Sequence, residues 1–337
     1  MERNAKFDNL KLVLIYCVIL GHLGNRYASK SGTLAVMQLW IYLFHMPAFV
    51  YISGLFSKRS IREGRWDKAV SYLLLYLFME MLPVIKAVIT GGTFSVSVDL
   101  LHESGIAWYA LGMMEWYAVT ILARKVKPAY VLTLSLFLAL AAGYISQIGS
   151  FLALKRGIVF FPIFYLGYLT DPDRILAWTK KPGVRIVAVM LLLVSLVLCF
   201  WKFELLSPWR LLFRAKSDYA AIKTTLSARW GWLWRLLFYV ISMALTGAWI
   251  AVVPAKKFFF SALGAKTLPV YVFHQHLIKA FLAIPICKGF MKSPCLSPKC
   301  LLLGLLVLLV SALPIFEIPL RYLMKIPHAG RNDQKKS

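Results

Sequence analysis

The feature that most constrains the fold of this chain is a recurrence of long apolar runs with few charges. Residues 184–201, VRIVAVMLLLVSLVLCFW, are a clear example. A helix needs about 20 apolar residues to cross the hydrocarbon core of a membrane. The chain is 60% hydrophobic, well above the roughly 45–50% of soluble domains. The sequence therefore predicts a protein that crosses the membrane several times.

Within a bilayer, only helices and closed barrels satisfy their backbone hydrogen bonds. Barrel strands alternate apolar and polar residues, and these runs do not alternate. We therefore predict an all-α, polytopic transmembrane helical bundle, in a single integral-membrane domain over residues 1–337. Its ten predicted spans are 9–25, 34–56, 69–89, 105–123, 128–146, 151–169, 184–201, 231–253, 267–286 and 300–320.

The formal net charge of +25 would suggest a nucleic-acid partner in a soluble protein. In a membrane protein, Lys and Arg accumulate in cytoplasmic loops instead. Basic residues here concentrate in alternate loops, which predicts that both termini are cytoplasmic and that no nucleic acid is bound. Segment 202–230 does not fit this bias, because it is basic and falls on the outer side. It could include a helix that lies on the membrane surface.

Three polar residues of the first span share one stripe. At 100° per residue, His22 lies within about 40° of both Asp8 and Lys11. Polar residues inside a membrane usually face a cavity, so the stripe could line one, with His22 as a general base or nucleophile. The alternative is an interfacial histidine at the end of the helix, with Asp8 and Lys11 solvated at its start.

The second span contains FHMPAFVYISG, in which His45 lies near the centre. Pro47 interrupts the helical hydrogen-bond ladder and frees backbone groups. Ser53 and Gly54 permit close packing of a neighbouring helix. His45 could belong to a reactive site or make a structural hydrogen bond between helices.

A strongly basic sequence, SKRSIREGRWDK, follows the second span directly. Arg59, Arg62 and Arg65 are spaced by three residues, and we expect them to share a helix face. Guanidinium groups bind phosphate through paired hydrogen bonds, so this face could hold a phosphate-bearing ligand at the cytoplasmic side. The alternative is a loop that sets membrane orientation or binds anionic lipid.

Charged residues also fall inside other predicted spans. Glu115 lies near mid-span in AWYALGMMEWY, and we expect it to pair with a basic residue or to face water. Arg156 precedes another span. His274 and His276 are two residues apart, so they point to different sides of a helix. With no thiolate cluster or HExxH motif in the chain, we expect no metal site.

Five stretches together resemble the integral-membrane acyltransferase 3 family, especially its branch of fucose 4-O-acetylase-like acetyltransferases. They are FDNLKLVLIYCVILGH, FHMPAFVYISG, AWYALGMMEWY, RGIVFFPIFYLGY and LGAKTLPVYVFHQHL. They follow the family's order and spacing over most of the chain. The stretch AWYALGMMEWY departs from the Trp-Phe-Leu sequence that is usual in the family.

The resemblance implies an enzyme of the bacterial inner membrane that moves an acyl group, usually acetyl from cytoplasmic acetyl-CoA, to a sugar hydroxyl. The implied acceptor is a surface polysaccharide or its lipid-linked precursor. The family's basic-x10-His motif falls on Lys11 and His22, and its FHMP histidine falls on His45. Its Arg-x-x-Arg motif falls on Arg59 and Arg62 or on the pair one step later, Arg62 and Arg65.

These residues then take expected roles in the reaction. His22, with Asp8 and His45, forms the catalytic group, while Lys11 and the three arginines hold acetyl-CoA. Glu115 and Arg156 are expected to bind the acceptor. The competing interpretation is a transporter or flippase for an anionic glycolipid, which the charges inside the spans and the basic segment 202–230 favour.

Overall fold

A computed structural model describes residues 4–89, 99–102, 105–222, 224, 227–292 and 295–328. These residues form helices joined by turns, and their β-type pairing is a single isolated bridge between His102 and Phe151. The helices are α1 Ala5–Tyr27, α2 Gly32–Tyr42, α3 His45–Arg62, α4 Trp66–Ile89, α5 Trp108–Leu122, α6 Pro128–Ala141, α7 Leu154–Leu169, α8 Pro172–Thr179, α9 Val184–Trp201, α10 Phe203–Leu206, α11 Arg210–Arg214, α12 Gly231–Val252, α13 Thr267–Ala283, α14 Pro285–Phe290, α15 Leu296–Ser311 and α16 Pro314–Lys325.

The all-α prediction is confirmed, and several helices have the length and composition to cross a membrane. Five meet both criteria among the described residues, and a sixth crossing results if the bent pair α15–α16 counts as one span. Each of the ten predicted spans falls on one or two helices, but the number of crossings stays a prediction. Residues 1–3 and 329–337 lie outside the described residues, and the cytoplasmic location of both ends also stays a prediction.

Helix α1 runs through the middle of the bundle. In the most apolar 18-residue stretch of α1, 72% of the residues are buried inside the protein. The corresponding share for α9, at the periphery, is 17%. Its first turn is held by the Asn9 side-chain amide, which donates to the carbonyls of Pro254 and Lys256. The backbone of Asp8 is so close to Gly264 that a Cβ there would lie 1.8 Å from the Asp8 carbonyl oxygen. The polar stripe of α1 is therefore rigidly placed inside the protein.

Helices α3 and α7 pack at short distance through glycines. A Cβ at Gly54 would lie 2.0 Å from the carbonyl oxygen of Phe164, and one at Gly167 would lie 2.1 Å from that of Tyr51. Small residues allow such approach inside membranes, where apolar burial does not drive helix association. The close packing predicted at Gly54 is confirmed.

The second predicted span is interrupted where Pro47 suggested. Helix α2 ends at Tyr42 and α3 begins at His45, because a proline in the first turn of α3 cannot donate to the preceding carbonyls. The Ser242 hydroxyl of α12 donates to the freed carbonyl of Leu43, at 2.8 Å. The break places His45 at the start of a helix in mid-bundle.

The predicted span over 300–320 falls on two helices instead of one. Helices α15 and α16 meet at an angle of 55°, with a break just before Pro314. The residue before a proline is driven towards extended backbone, and Leu313 adopts φ −64°, ψ 148°.

The described residues of segment 202–230 fold against the bundle, and whether one of their helices lies on the membrane surface stays a prediction. The segment contains the short helices α10 and α11. Arg235 of α12 donates to the carbonyl of Leu212 at 2.8 Å, and Arg210 donates to the side chain of Gln38. Arg210 of this basic segment thus makes a contact inside the protein.

Candidate functional site

A cavity of about 90 Å³ lies beside His22, where α1 meets five other parts of the chain. Its lining comes from α1, from the α2–α3 break, from α7, α11 and α13, and from the residues at the start of α5. The members used below are Val18, His22, Tyr42, His45, Met46, Trp108, Arg156, Phe213, Arg214 and Tyr271. Residues far apart in the sequence thus converge on one space next to the predicted reactive histidine.

His22 is held by two consecutive residues of α13. The side-chain nitrogen of Gln275 lies 2.8 Å from Nδ1 of His22, and the ring centroid of His274 lies 5.0 Å from that of His22. His274 is fully buried, and its Nδ1 donates to the carbonyls of Val270 and Tyr271. In this arrangement the Gln275 amide donates to Nδ1, so the proton of a neutral His22 is on Nε2.

His45 has a defined tautomer. Its Nδ1 lies 2.7 Å from the carbonyl oxygen of Ile41, and because a carbonyl only accepts, Nδ1 carries a proton. The ring of Tyr42 packs edge-on against it at 5.0 Å. The structure therefore brings the two predicted histidines, His22 and His45, to the same cavity.

Two arginines line the cavity with them. Arg156, near the start of α7, is 7% exposed, and its guanidinium carbon lies 4.7 Å from the centroid of the Trp108 ring. Arg214 is the last residue of α11. Because α11 belongs to the basic segment 202–230, part of the charge that contradicted the predicted orientation is found in this cavity.

A second cavity, of about 220 Å³, lies nearer the start of α1. Lys11 lines it, and three residues, Val18, Met46 and Tyr271, line both cavities. The hydroxyl of Tyr271 donates to the carbonyl of Ile106, which fixes one side of the wall between them. Lys11 and His22 are therefore at the two ends of a pair of adjoining spaces.

Asp8 is not brought to His22. Its carboxylate pairs with Lys11 at 2.8 Å, and Asp8 lines a third cavity together with Lys257, Lys266 and Glu317. Asp8 and His22 lie on the same stripe of α1 but in different cavities, because the 14 residues between them extend about 21 Å along the helix axis.

The expectation that three arginines share one helix face is wrong for Arg65. Helix α3 ends at Arg62, and Gly64 turns the chain with a left-handed φ of +62°, which favours glycine. Arg65 then donates to Asp67 at 2.7 Å, and this contact raises the pKa of Arg65. Arg59 pairs with Glu63 at 2.8 Å. Arg62 is exposed.

Glu115 lies in a different space from His22. It faces an apolar groove of about 590 Å³ between α5, α6 and α7. A Cβ on Gly157 would lie 2.1 Å from Oε2 of Glu115, so the carboxylate packs directly on α7. The structure thus separates Glu115 from Arg156, although Arg156 directly precedes Gly157.

Sequence reasoning missed three residues around His22, namely Arg214, His274 and Gln275. His274 and Gln275 lie within a motif that the resemblance already singled out, but the pattern showed only that His274 and His276 diverge. Arg214 had a weaker signal, as a basic residue in a segment that did not fit the predicted orientation. Within the described part of the chain, no group of three or more His, Cys, Asp or Glu side chains is placed to hold a metal ion.

The chain has apolar helices of membrane length, and imidazole and guanidinium groups line a cavity inside its bundle. These features define a multi-pass integral-membrane protein with an enzyme-like central site. The family model described as "Acyltransferase domain" (acyltransferase 3) matches residues 4–317. The chain belongs to this family.

One curated relative also matches part of the chain. Nodulation protein NolL of Mesorhizobium japonicum is 39% identical over 122 residues, which are 32% of this chain and 32% of NolL. The chain thus matches about a third of the length of that relative. No solved structure matches significantly.

Proposed function

We propose that this chain, acting as one domain in the bacterial inner membrane, is an acetyl-CoA-dependent O-acetyltransferase. The acceptor is a sugar hydroxyl of a cell-surface polysaccharide or of a lipid-linked glycan precursor. The observation that carries the proposal is the pair of adjoining cavities along α1, with Lys11 in one and His22 in the other. Such a pair can bring a donor from one side of the protein to an acceptor on the other.

The donor enters from the side of Lys11. Arg59, Arg62 and Arg65 lie at the end of α3 and in the turn after it, where their charge attracts the CoA phosphates. Lys11 and His22 are 11 residues apart, which is about 16 Å along the helix, a span that suits an extended thioester arm. The arm passes between Val18, Met46 and Tyr271, where the flexible side chain of Met46 can move aside.

His22 then serves in one of two ways. As a general base, Nε2 of His22, unprotonated when the Gln275 amide turns its oxygen towards Nδ1, takes the proton of the acceptor hydroxyl while the hydroxyl oxygen attacks the thioester carbon. The C–S bond breaks, and the CoA thiolate leaves and regains the proton. As a nucleophile, the same nitrogen attacks first and releases CoA. The acyl-imidazole then transfers its acetyl group to the hydroxyl.

The purified protein tests the proposal with radiolabelled acetyl-CoA and a mixture of glycans. We expect His22→Gln to bind acetyl-CoA normally and to transfer about 10²- to 10⁴-fold more slowly, as expected for the loss of acid–base catalysis. Normal transfer by this variant would exclude a chemical role for His22. Movement of a glycolipid without any acyl donor would favour the flippase alternative instead.

Mass spectrometry separates the two mechanisms. A nucleophilic His22 accumulates a peptide carrying an acetyl group when acetyl-CoA is mixed with the enzyme and no acceptor is present. A general base leaves the peptide unmodified.

A further inference from the structure

An apolar groove of about 550 Å³ lies on the side of the bundle, between α2, α9, α11 and α12. We call it the lateral groove. The described residues that line it carry no charge. At its rim, Val194 of α9 and Val240 of α12 are 53% and 66% exposed. Because exposed apolar side chains of a membrane-spanning helix face lipid chains, the lateral groove opens to the hydrocarbon of the membrane.

The lateral groove adjoins the cavity beside His22. Phe213, which is 5% exposed, lines both spaces. Its ring centroid lies 5.3 Å from that of Phe238 in the groove. The ring of Phe238 lies 6.0 Å from that of Phe160, which lines the cavity. At Phe213, a single side chain separates the apolar groove from the predicted reactive histidine.

Helix α11 passes from one space to the other within three residues. Leu212 lines the groove, Phe213 lines both spaces and Arg214 lines the cavity. The helix is held in place by Arg235, which donates to the carbonyl of Leu212 at 2.8 Å. A ligand that occupies both spaces therefore needs a hydrocarbon part on one side of Phe213 and a polar part on the other.

We infer that the acceptor is lipid-linked, with its hydrocarbon chain in the lateral groove and its sugar at His22, past Phe213. The inference rests on the proposed function and chooses between the two acceptors that it leaves open. An apolar groove does not by itself prefer this chain to membrane lipid, because lipid tails are equally apolar. The preference comes from the linkage, since a chain held in the groove raises the effective concentration of its sugar at His22.

The rival occupant is the acyl chain of an ordinary phospholipid, with no connection to the reaction. It predicts that filling the groove leaves transfer unchanged. Methyl and dodecyl glycosides separate the two cases, because they share a sugar and differ in the hydrocarbon chain. Glycosides of glucose, galactose, mannose and N-acetylglucosamine are suitable, with the full chain in phosphatidylcholine nanodiscs.

We expect the wild type to prefer dodecyl to methyl glycosides roughly tenfold or more in kcat/KM, because the chain adds apolar contact. Val194→Trp fills the groove. It should lower transfer to dodecyl glycosides roughly tenfold or more, as for misfit in an apolar pocket, and leave transfer to methyl glycosides unchanged.

Val189→Trp is the matched control. Val189 is also exposed on α9, lies about 140° around the helix from Val194 and does not line the groove. This variant should behave as wild type. Partition of dodecyl glycosides into the membrane is the same for both variants, so it does not account for a difference between them.

Photolabelling completes the test, since it does not require transfer. A dodecyl glucoside with a diazirine at the end of its chain should label peptides of α9 and α12 in the wild type and in Val189→Trp, and much less in Val194→Trp. If this labelling depends on Val194 but no glycoside accepts acetyl, the groove binds the glycolipid chain and the proposed function fails.

Three results would overturn the inference. One is equal transfer to methyl and dodecyl glycosides by the wild type. The second is unchanged transfer to dodecyl glycosides in Val194→Trp, which leaves the groove to membrane lipid. The third is an equal fall for both kinds of glycoside in Val194→Trp, which assigns Val194 a purely structural role.

Discussion

The side-chain amide of Gln275 on α13 meets Nδ1 of His22 on α1 at 2.8 Å, across 253 residues of sequence. With its nitrogen towards the ring, the amide donates and leaves the proton of His22 on Nε2. A half-turn of the amide presents its oxygen and moves the proton to Nδ1. Only this second tautomer leaves Nε2 free to act as a base or nucleophile.

We therefore predict that Gln275 selects the tautomer of His22. Gln275→Leu should slow transfer roughly tenfold, the value of one lost hydrogen bond. Gln275→Glu should keep transfer, because a carboxylate always accepts from Nδ1. It should also move the acidic limb of the pH–rate profile to higher pH, because a carboxylate in contact with the ring favours the imidazolium.

The pH profile separates this role from a structural one. Two other histidines are near His22: His45 lines the same cavity, and the ring of His274 contacts that of His22. Both remain unchanged in the two variants. Equal activity and equal profiles for wild type, Gln275→Leu and Gln275→Glu would show that the amide has no influence on His22.

The shared wall of the two cavities offers a second prediction. Met46→Trp places a larger side chain between the space of Lys11 and that of His22, and it should reduce transfer at least tenfold while acetyl-CoA binding remains. Met46→Leu keeps the volume nearly unchanged and serves as the control. Transfer rates and acetyl-CoA titrations on the same samples provide the measurement. Unimpaired transfer by Met46→Trp would mean that the donor does not pass this wall.

A third prediction concerns the donor phosphates. Arg62 is exposed and, within the described residues, makes no ion pair, whereas Arg59 and Arg65 are engaged by Glu63 and Asp67. Arg62→Gln should weaken acetyl-CoA binding roughly tenfold through the loss of a charge-assisted contact. Calorimetric titration at fixed ionic strength measures the change.

Lys30→Gln is the control for this experiment. Lys30 follows the opposite end of α1 and is exposed, so its loss should leave the affinity for acetyl-CoA as it is. Equal weakening in both variants would indicate a general charge effect instead of a phosphate site on α3.

The contact between α3 and α7 leads to a fourth prediction. A Cβ at Gly54 would lie 2.0 Å from the carbonyl oxygen of Phe164, so Gly54→Ala must force the helices apart. Overpacking of this kind costs about 1–3 kcal/mol or more. Thermal unfolding of the purified protein in detergent should show a lower midpoint. Gly289→Ala, where a Cβ would meet nothing within 4 Å, should leave the midpoint nearly unchanged.

Much of the fold can be read from local sequence. The apolar runs predict membrane-length helices because the hydrocarbon core sets their length. Pro47 predicts the interruption before His45 because it lacks an N–H group. The bend before Pro314 follows the same chemistry, but the sequence reasoning did not place a break within the predicted span 300–320. A proline at a helix start and one inside a helix look alike until the path of the chain is known.

The sequence alone determined the helical membrane architecture and the spacing of Lys11 and His22, since rise and turn along a single helix are local properties. Only the tertiary structure decided which side chains surround His22. It brought Gln275 and Arg214 to that histidine and left Asp8 beside Lys11, because contacts between helices depend on packing across hundreds of residues. It also removed Arg65 from the face of Arg59 and Arg62, since a left-handed glycine ends the helix between them.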